Sequence, residues 1–350
     1  MILLTFLLSF FTVILYTPLV KTIAEKIGAT DKPDHRKVHE TLMPRLGGLA
    51  IYAGFLVGFL FIEPYSPFAR SIMVGGLIMI VVGVLDDLYE LSARWKLSAQ
   101  ILAATIVILG GVHVDFINLP FDGRLELGWF GIPLTMLWIV GVTNAINLID
   151  GLDGLAAGVS AIVLLTLSGI AFMMGNFFVV AVGMILLGST LGFLVYNFHP
   201  AKIFMGDTGA LFLGFMIAII SLLGFKNVTL FSLLIPVIIL GVPISDTFYA
   251  IIRRIVNNNP LSEPDKSHLH HCLLRLGFSH RQTVLIIYAM SAVFCLGAVV
   301  LTQSTLWGTL IIVTIFLVGV QLVVETIGLV NSSYKPVLRF LQRIGAVKKV

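Results

Sequence analysis

The sequence predicts an all-α polytopic integral membrane protein with about eleven transmembrane helices. Three observations predict it. Only 11% of the 350 residues are charged and 58% are hydrophobic, whereas a soluble domain carries about 25% charged residues. Apolar runs recur along the chain at close to the roughly 20 residues needed to cross a bilayer core. The alternating ten-residue segments of a membrane barrel are absent. Disorder, collagen and a disulfide scaffold are excluded by the same composition, which includes only two cysteines.

The apolar runs place spans at about 2–20, 46–63, 70–86, 97–112, 130–147, 155–174, 177–196, 208–225, 229–252, 282–301 and 306–328. Helices are the expected form, since they pair every backbone polar group internally at membrane depth. The first run has no basic leader and no small-x-small cleavage site, and is expected to be retained. No repeat or linker divides the chain, which reads as one membrane domain over 1–350. The stretch 113–129 alternates around Asp122-Gly123 and predicts a small outer β-hairpin.

Orientation follows from the basic residues. Of the 22 Lys and Arg, 19 fall at 21–45, 87–96, 197–207, 253–281 and 329–350; the alternate connections hold Arg70, Arg124 and Lys226. The N-terminus is therefore expected outside and the C-terminus in the cytoplasm. The net charge of +4 is accounted for by this bias and gives no support to nucleic-acid binding. Cys272 and Cys295 predict neither a disulfide nor a metal site.

The acids gather at helix ends on the predicted cytoplasmic side. Asp86 and Asp87 close an apolar run. Adjacent carboxylates repel and require a cation, a basic partner or a shared proton; a solvated helix end is the plain alternative. Asn144, Asn147, Asp150 and Asp153 recur every third residue and stay near one helix face. Gly151 and Gly154 interrupt that stripe where a ligand could approach the backbone. Asn197, Lys202, Phe204 and Asp207 lie in the loop that opens the next span, where Asp207 could also be a simple N-cap. His268, His270 and His271 stand near Lys266, Arg275 and Arg281, which favours phosphate over zinc as their ligand. A fifth segment runs Asp31-Lys32-Pro33-Asp34-His35-Arg36-Lys37-Val38-His39 and reaches Arg45-Leu46-Gly47-Gly48. Together these loops supply carboxylates for Mg²⁺, cations for phosphate, and amide, acid and aromatic groups for a base. Phosphoryl transfer between two anions needs such clamps.

The order Asp-Asp, NxxNxxDGLDG, NxxPAxxFMGDTG and HLHH resembles the polyprenyl-phosphate N-acetylhexosamine-1-phosphate transferases, which form glycosyltransferase family 4. The resemblance covers nearly the whole chain and is strongest to the WecA/TagO type; MraY enzymes, with three consecutive histidines, are related. It implies Asp86 as the base that deprotonates a lipid phosphate, Asp87 beside it near the metal, and Asp207 as a Mg²⁺ ligand. Mn²⁺ is an admissible substitute. It implies His268 as a further catalytic residue, with His270 and His271 at the diphosphate and sugar. Asn144, Asn147, Asp150, Gly151, Leu152, Asp153 and Asn197 are implied to bind the nucleotide, Phe204 to stack on uracil, and Lys32 and Lys96 to face phosphate.

The implied reaction joins UDP-N-acetylglucosamine and undecaprenyl phosphate at the cytoplasmic face of a bacterial plasma membrane. It releases UMP and starts a teichoic-acid or O-antigen type polymer. UDP-GalNAc and UDP-MurNAc-pentapeptide are alternative donors, and a homodimer is compatible with the reading. A secondary transporter is the rival class. It predicts acids near the bilayer centre and an internal repeat; only Asp246, near Pro243, lies well inside a run, and no repeat is visible.

Overall fold

The computed structural model describes residues 1–31, 42–118, 123–225, 230–256, 267–329 and 335–343. Lys32, Asp122 and Lys266 therefore lie outside the described residues. The helices are α1 (Ile2–Ile27), α2 (Gly47–Ile62), α3 (Ala69–Tyr89), α4 (Ala93–Leu109), α5 (Gly131–Ile149), α6 (Leu155–Met173) and α7 (Phe177–Asn197). They continue as α8 (Gly206–Phe225), α9 (Leu230–Ile239), α10 (Gly241–Val256), α11 (Leu269–Arg275), α12 (His280–Leu301), α13 (Leu306–Ile327) and α14 (Pro336–Arg343).

Among the described residues, eight helices are long and apolar enough to cross a membrane: α1, α3, α5, α6, α7, α8, α12 and α13. The sequence suggests eleven, and the difference has local causes. The 16-residue α2 is apolar but short. The run expected at 97–112 becomes the 17-residue α4, which starts at Ala93 and so takes Lys96 into its first turn. The run expected at 229–252 is not one helix. It breaks at Leu240 between α9, which contains Pro236, and α10, which opens on Gly241-Val242-Pro243. Proline removes a backbone donor and clashes with the preceding turn.

Two small antiparallel pairs complete the described fold. β1 (Thr30–Asp31) pairs with β2 (Met43–Pro44), and β3 (Phe116–Asn118) pairs with β4 (Arg124–Glu126), within the stretch 113–129. The first pair was not anticipated from sequence. It holds the chain just ahead of Arg45.

Helix α8 is the axis of the bundle. In its most apolar stretch 89% of residues are buried, against 11% for the peripheral α13. It packs on α2, α3, α5, α6 and α7. Its first turn touches two neighbours at glycines: a Cβ on Gly48 of α2 would collide with the Gly209 backbone, and one on Gly83 of α3 with that of Thr208. Small residues permit such backbone approach between membrane helices. The ends of α2, α3 and α8 thereby meet at one level.

Candidate active site

The site is built on the first turn of α8. Gly206 opens it at φ 69°, a left-handed conformation that glycine adopts without penalty. The carboxylate of Asp87, at the end of α3, covers this turn. Its Oδ1 accepts from the backbone N–H of Asp207 at 3.0 Å, and its Oδ2 accepts from the Thr208 N–H at 3.1 Å and the Thr208 hydroxyl at 2.7 Å. Arg45 Nε lies 3.6 Å from the same Oδ1, and the Asp87 side chain is fully buried. Asp87 thus acts as a remote cap for α8, meeting both the orphan N–H groups and the positive helix end.

Asp86 and Asp207 face each other across Lys96. The ammonium donates to Asp207 Oδ2 at 2.9 Å and to Asp86 Oδ2 at 3.2 Å. The Asp207 carboxylate also interacts with the Asp86 and Asn147 side chains. Two carboxylates converging on one cation fit the oxygen chemistry of a Mg²⁺ site. Of the expected pair Asp207 and Asp87, both Asp87 oxygens accept bonds from the start of α8, while the Asp207 carboxylate faces the gap at Lys96.

Asp150 ends α5 beside this cluster. Burial, then the Asp207 and Asp87 charges, push its carboxyl up to about 7. Arg45 responds oppositely to its neighbours. Burial disfavours its charge, but Asp87, Asp31, Asp207 and Asp86 together raise its pKa. One helical turn before Asn147, Asn144 donates to Gln100 Oε1 at 2.6 Å and receives a bond from Gln100 Nε2 at 3.3 Å. Gln100 was not singled out in the sequence. Its place in α4, one turn after Lys96, is the available signal.

The remaining expected residues form a second layer. Asn197 accepts from the Gly154 N–H at 3.1 Å and donates to the Ile203 carbonyl at 3.0 Å, so it ties two loops together. Phe204 is half-buried and its backbone bonds to Pro44 and Gly47. Leu152 is buried in the core. Asp153 Oδ2 receives the Ala201 N–H at 3.1 Å and lies 2.8 Å from His199 Nδ1.

The histidine segment reaches the same place through His270, whose ring packs against Gly151. His270 is buried, and burial followed by the neighbouring His271 pushes its pKa down to about 3. The His271 ring lies 4.2 Å from that of His270. His268 is oriented from α10: its Nδ1 lies 2.9 Å from Asp246 Oδ2, while Asp246 Oδ1 accepts the Leu269 N–H at 2.8 Å. Asp246, the acid that a transporter would place at mid-membrane, instead holds the histidine segment.

Known proteins share this sequence along most of its length. The profile of glycosyl transferase family 4 matches residues 69–225, from α3 through α8. The chain is 52% identical over 346 residues to a Bacillus subtilis protein named probable undecaprenyl-phosphate N-acetylglucosaminyl 1-phosphate transferase, covering 98% of this chain and 97% of the relative. It is 35% identical to a Mycobacterium tuberculosis decaprenyl-phosphate N-acetylglucosaminephosphotransferase, covering 80% and 77%. It is 27% identical to the Escherichia coli K12 undecaprenyl-phosphate alpha-N-acetylglucosaminyl 1-phosphate transferase, covering 98% and 95%. Such similarity along the full length, joined to the Asp86–Lys96–Asp207 cluster, places this chain in glycosyl transferase family 4, among transferases of the WecA/TagO type.

Proposed function

We propose that the chain transfers N-acetylglucosamine 1-phosphate from UDP-N-acetylglucosamine to undecaprenyl phosphate, releasing UMP. The observation that carries this reading is the convergence of Asp86, Asp207 and Lys96 from the end of α3 and the starts of α8 and α4. The acceptor named for the Bacillus subtilis relative supports a lipid phosphate. The basic residues flanking the helix ends at this level support a cytoplasmic face of the plasma membrane.

Asp86 takes the proton from the lipid phosphate at its carboxylate. A lipid phosphate oxygen then attacks the sugar-linked phosphorus, and UMP leaves with the electrons of the broken anhydride bond. Lys96 offsets phosphate charge during the exchange. Asp87 keeps Asp207 in place by holding the start of α8. Asp207 would hold Mg²⁺ beside the gap that it shares with Asp86, leaving the Asp86 carboxylate free for the proton, and the ion would supply charge neutralisation between the two anions. Asp153 and the Gly151-Leu152 backbone bind uracil, with Phe204 against its face; His268, His270 and His271 meet the diphosphate and sugar. One anhydride replaces another, so the reaction is reversible. The product starts a cell-envelope glycopolymer of the teichoic-acid or O-antigen type.

The test supplies purified protein with Mg²⁺, undecaprenyl phosphate and separate UDP-sugars, and measures UMP. UMP is expected with UDP-N-acetylglucosamine and not in the presence of excess chelator. Absence of UMP with every sugar would overturn the reading, and UMP from another donor alone would reassign the sugar.

A further inference from the structure

Three side chains outside the Asp86–Lys96–Asp207 cluster converge on one point. Asp153 comes from the loop after α5, His199 from the loop after α7, and His280 from the first residue of α12. Their nearest ligand atoms all lie within 4.8 Å of one another. His199 Nδ1 is 2.8 Å and His280 Nε2 is 4.0 Å from the same Asp153 Oδ2. Zinc–ligand bonds of about 2.0–2.2 Å give tetrahedral ligand separations of roughly 3.4 Å. The two measured separations bracket that value.

His280 Nε2 is the unprotonated ring nitrogen, since it accepts the Asp153 backbone N–H at 3.0 Å, and a bound cation would displace that hydrogen bond. His199 Nδ1 faces a carboxylate oxygen, so a metal would require its proton to move to Nε2 or to solvent. The imidazoles stack with centroids 4.2 Å and planes 23° apart, which keeps both rings beside the Asp153 carboxylate. Arg281 donates to the His199 carbonyl at 3.1 Å and steadies that loop, as outer groups do around metal ligands. All three residues are partly exposed, which leaves an entry path and room for a water as fourth ligand. Two imidazoles and one carboxylate suit zinc and disfavour magnesium, which prefers an all-oxygen shell.

We infer that Asp153, His199 and His280 form a site for a borderline divalent cation of the zinc class, separate from the oxygen site at Asp86 and Asp207; because Asp153 is also the residue proposed to meet uracil, the cation and the nucleotide would compete for it. The site bridges the loops after α5 and α7 to the start of α12.

The test titrates Zn²⁺, and Co²⁺ as a coloured probe, into the full chain in detergent after chelator treatment. The expected result is one ion per chain, a tetrahedral Co²⁺ absorption, and retention in excess Mg²⁺. His199→Gln and His280→Gln should each weaken binding by about tenfold or more. His199→Asn provides a second replacement at the more exposed histidine, and size-exclusion elution checks that the variants remain folded. Lack of stoichiometric Zn²⁺ binding by the unmodified chain would overturn the site. So would binding that survives at both histidines but is lost in His271→Gln. The readout is metal itself, so it stands apart from success or failure of the UMP assay.

Discussion

Asp87 holds the main chain of Asp207: one carboxylate accepts the backbone N–H of the other residue at 3.0 Å. The two acids therefore divide positioning from chemistry, and substitutions should separate them. Asp87→Asn removes the charge that answers the α8 N-terminus and Arg45. A lost cap costs about 1–2 kcal/mol, so the thermal midpoint should fall together with turnover. Asp207→Asn should nearly abolish turnover and its Mg²⁺ response while leaving the midpoint within a few degrees of the parent. Thermal unfolding in detergent, paired with UMP release, checks both; an unchanged midpoint for Asp87→Asn would remove its capping role.

Lys96 is the cation shared by Asp86 and Asp207. Lys96→Met should lower turnover by about 100-fold or more, on the scale of losing one preorganised electrostatic contact. Lys96→Arg should restore little, because a planar fork does not replace a compact ammonium between two close carboxylates. Initial rates of UMP release are the measurement, and full activity in Lys96→Arg would contradict the geometry.

The crossing of α2 and α8 has no space for a side chain at Gly48. Gly48→Val should destabilise the chain by about 1–3 kcal/mol or prevent its accumulation, as overpacking does. Gly319, where an added Cβ meets nothing within 4 Å, is the matched control. Comparing yield and thermal midpoint for Gly48→Val and Gly319→Ala tests the contact.

Asp150 gives a pH signature in metal-free protein. Its folded carboxyl is pushed up to about 7, above the ordinary carboxylate value of 3.8. Between those values the folded state binds more protons than the unfolded state, so this group's contribution to stability falls as pH rises. Asp150→Asn should flatten the decline between about pH 4 and 7 and make the chain more stable than the parent at pH 8. Midpoints measured across that range would reject the assignment if the two curves stay parallel.

Much of the site was legible because charge is scarce in this chain. Asp86, Asp87, Asp150, Asp153 and Asp207 stand out at the ends of apolar runs, and the helices bring Asp86, Asp87, Asp150 and Asp207 together. Partnerships between distant segments were not legible. Nothing in local spacing couples Gln100 to Asn144, Asp246 to His268, or His280 to Asp153, which are separated by 44, 22 and 127 positions. Hydropathy also could not separate α9 from α10, because the break at Leu240 lies inside one continuous apolar run. The division of labour between Asp86 and Asp87 is likewise a three-dimensional fact: consecutive helical side chains point in different directions, one toward Lys96 and the other toward α8.

The glycine contacts around Thr208 have a consequence for life in a changing bilayer. Side chains can exchange rotamers when lipid thickness alters helix tilt, but Gly48 and Gly83 bring whole backbones against α8. Tilting any one of α2, α3 and α8 drives main chain into main chain, so the three must respond as a single rigid wedge. Main-chain contact thereby holds the spacing at these helix ends, a constraint that the peripheral α13, with 11% of its apolar stretch buried, does not share.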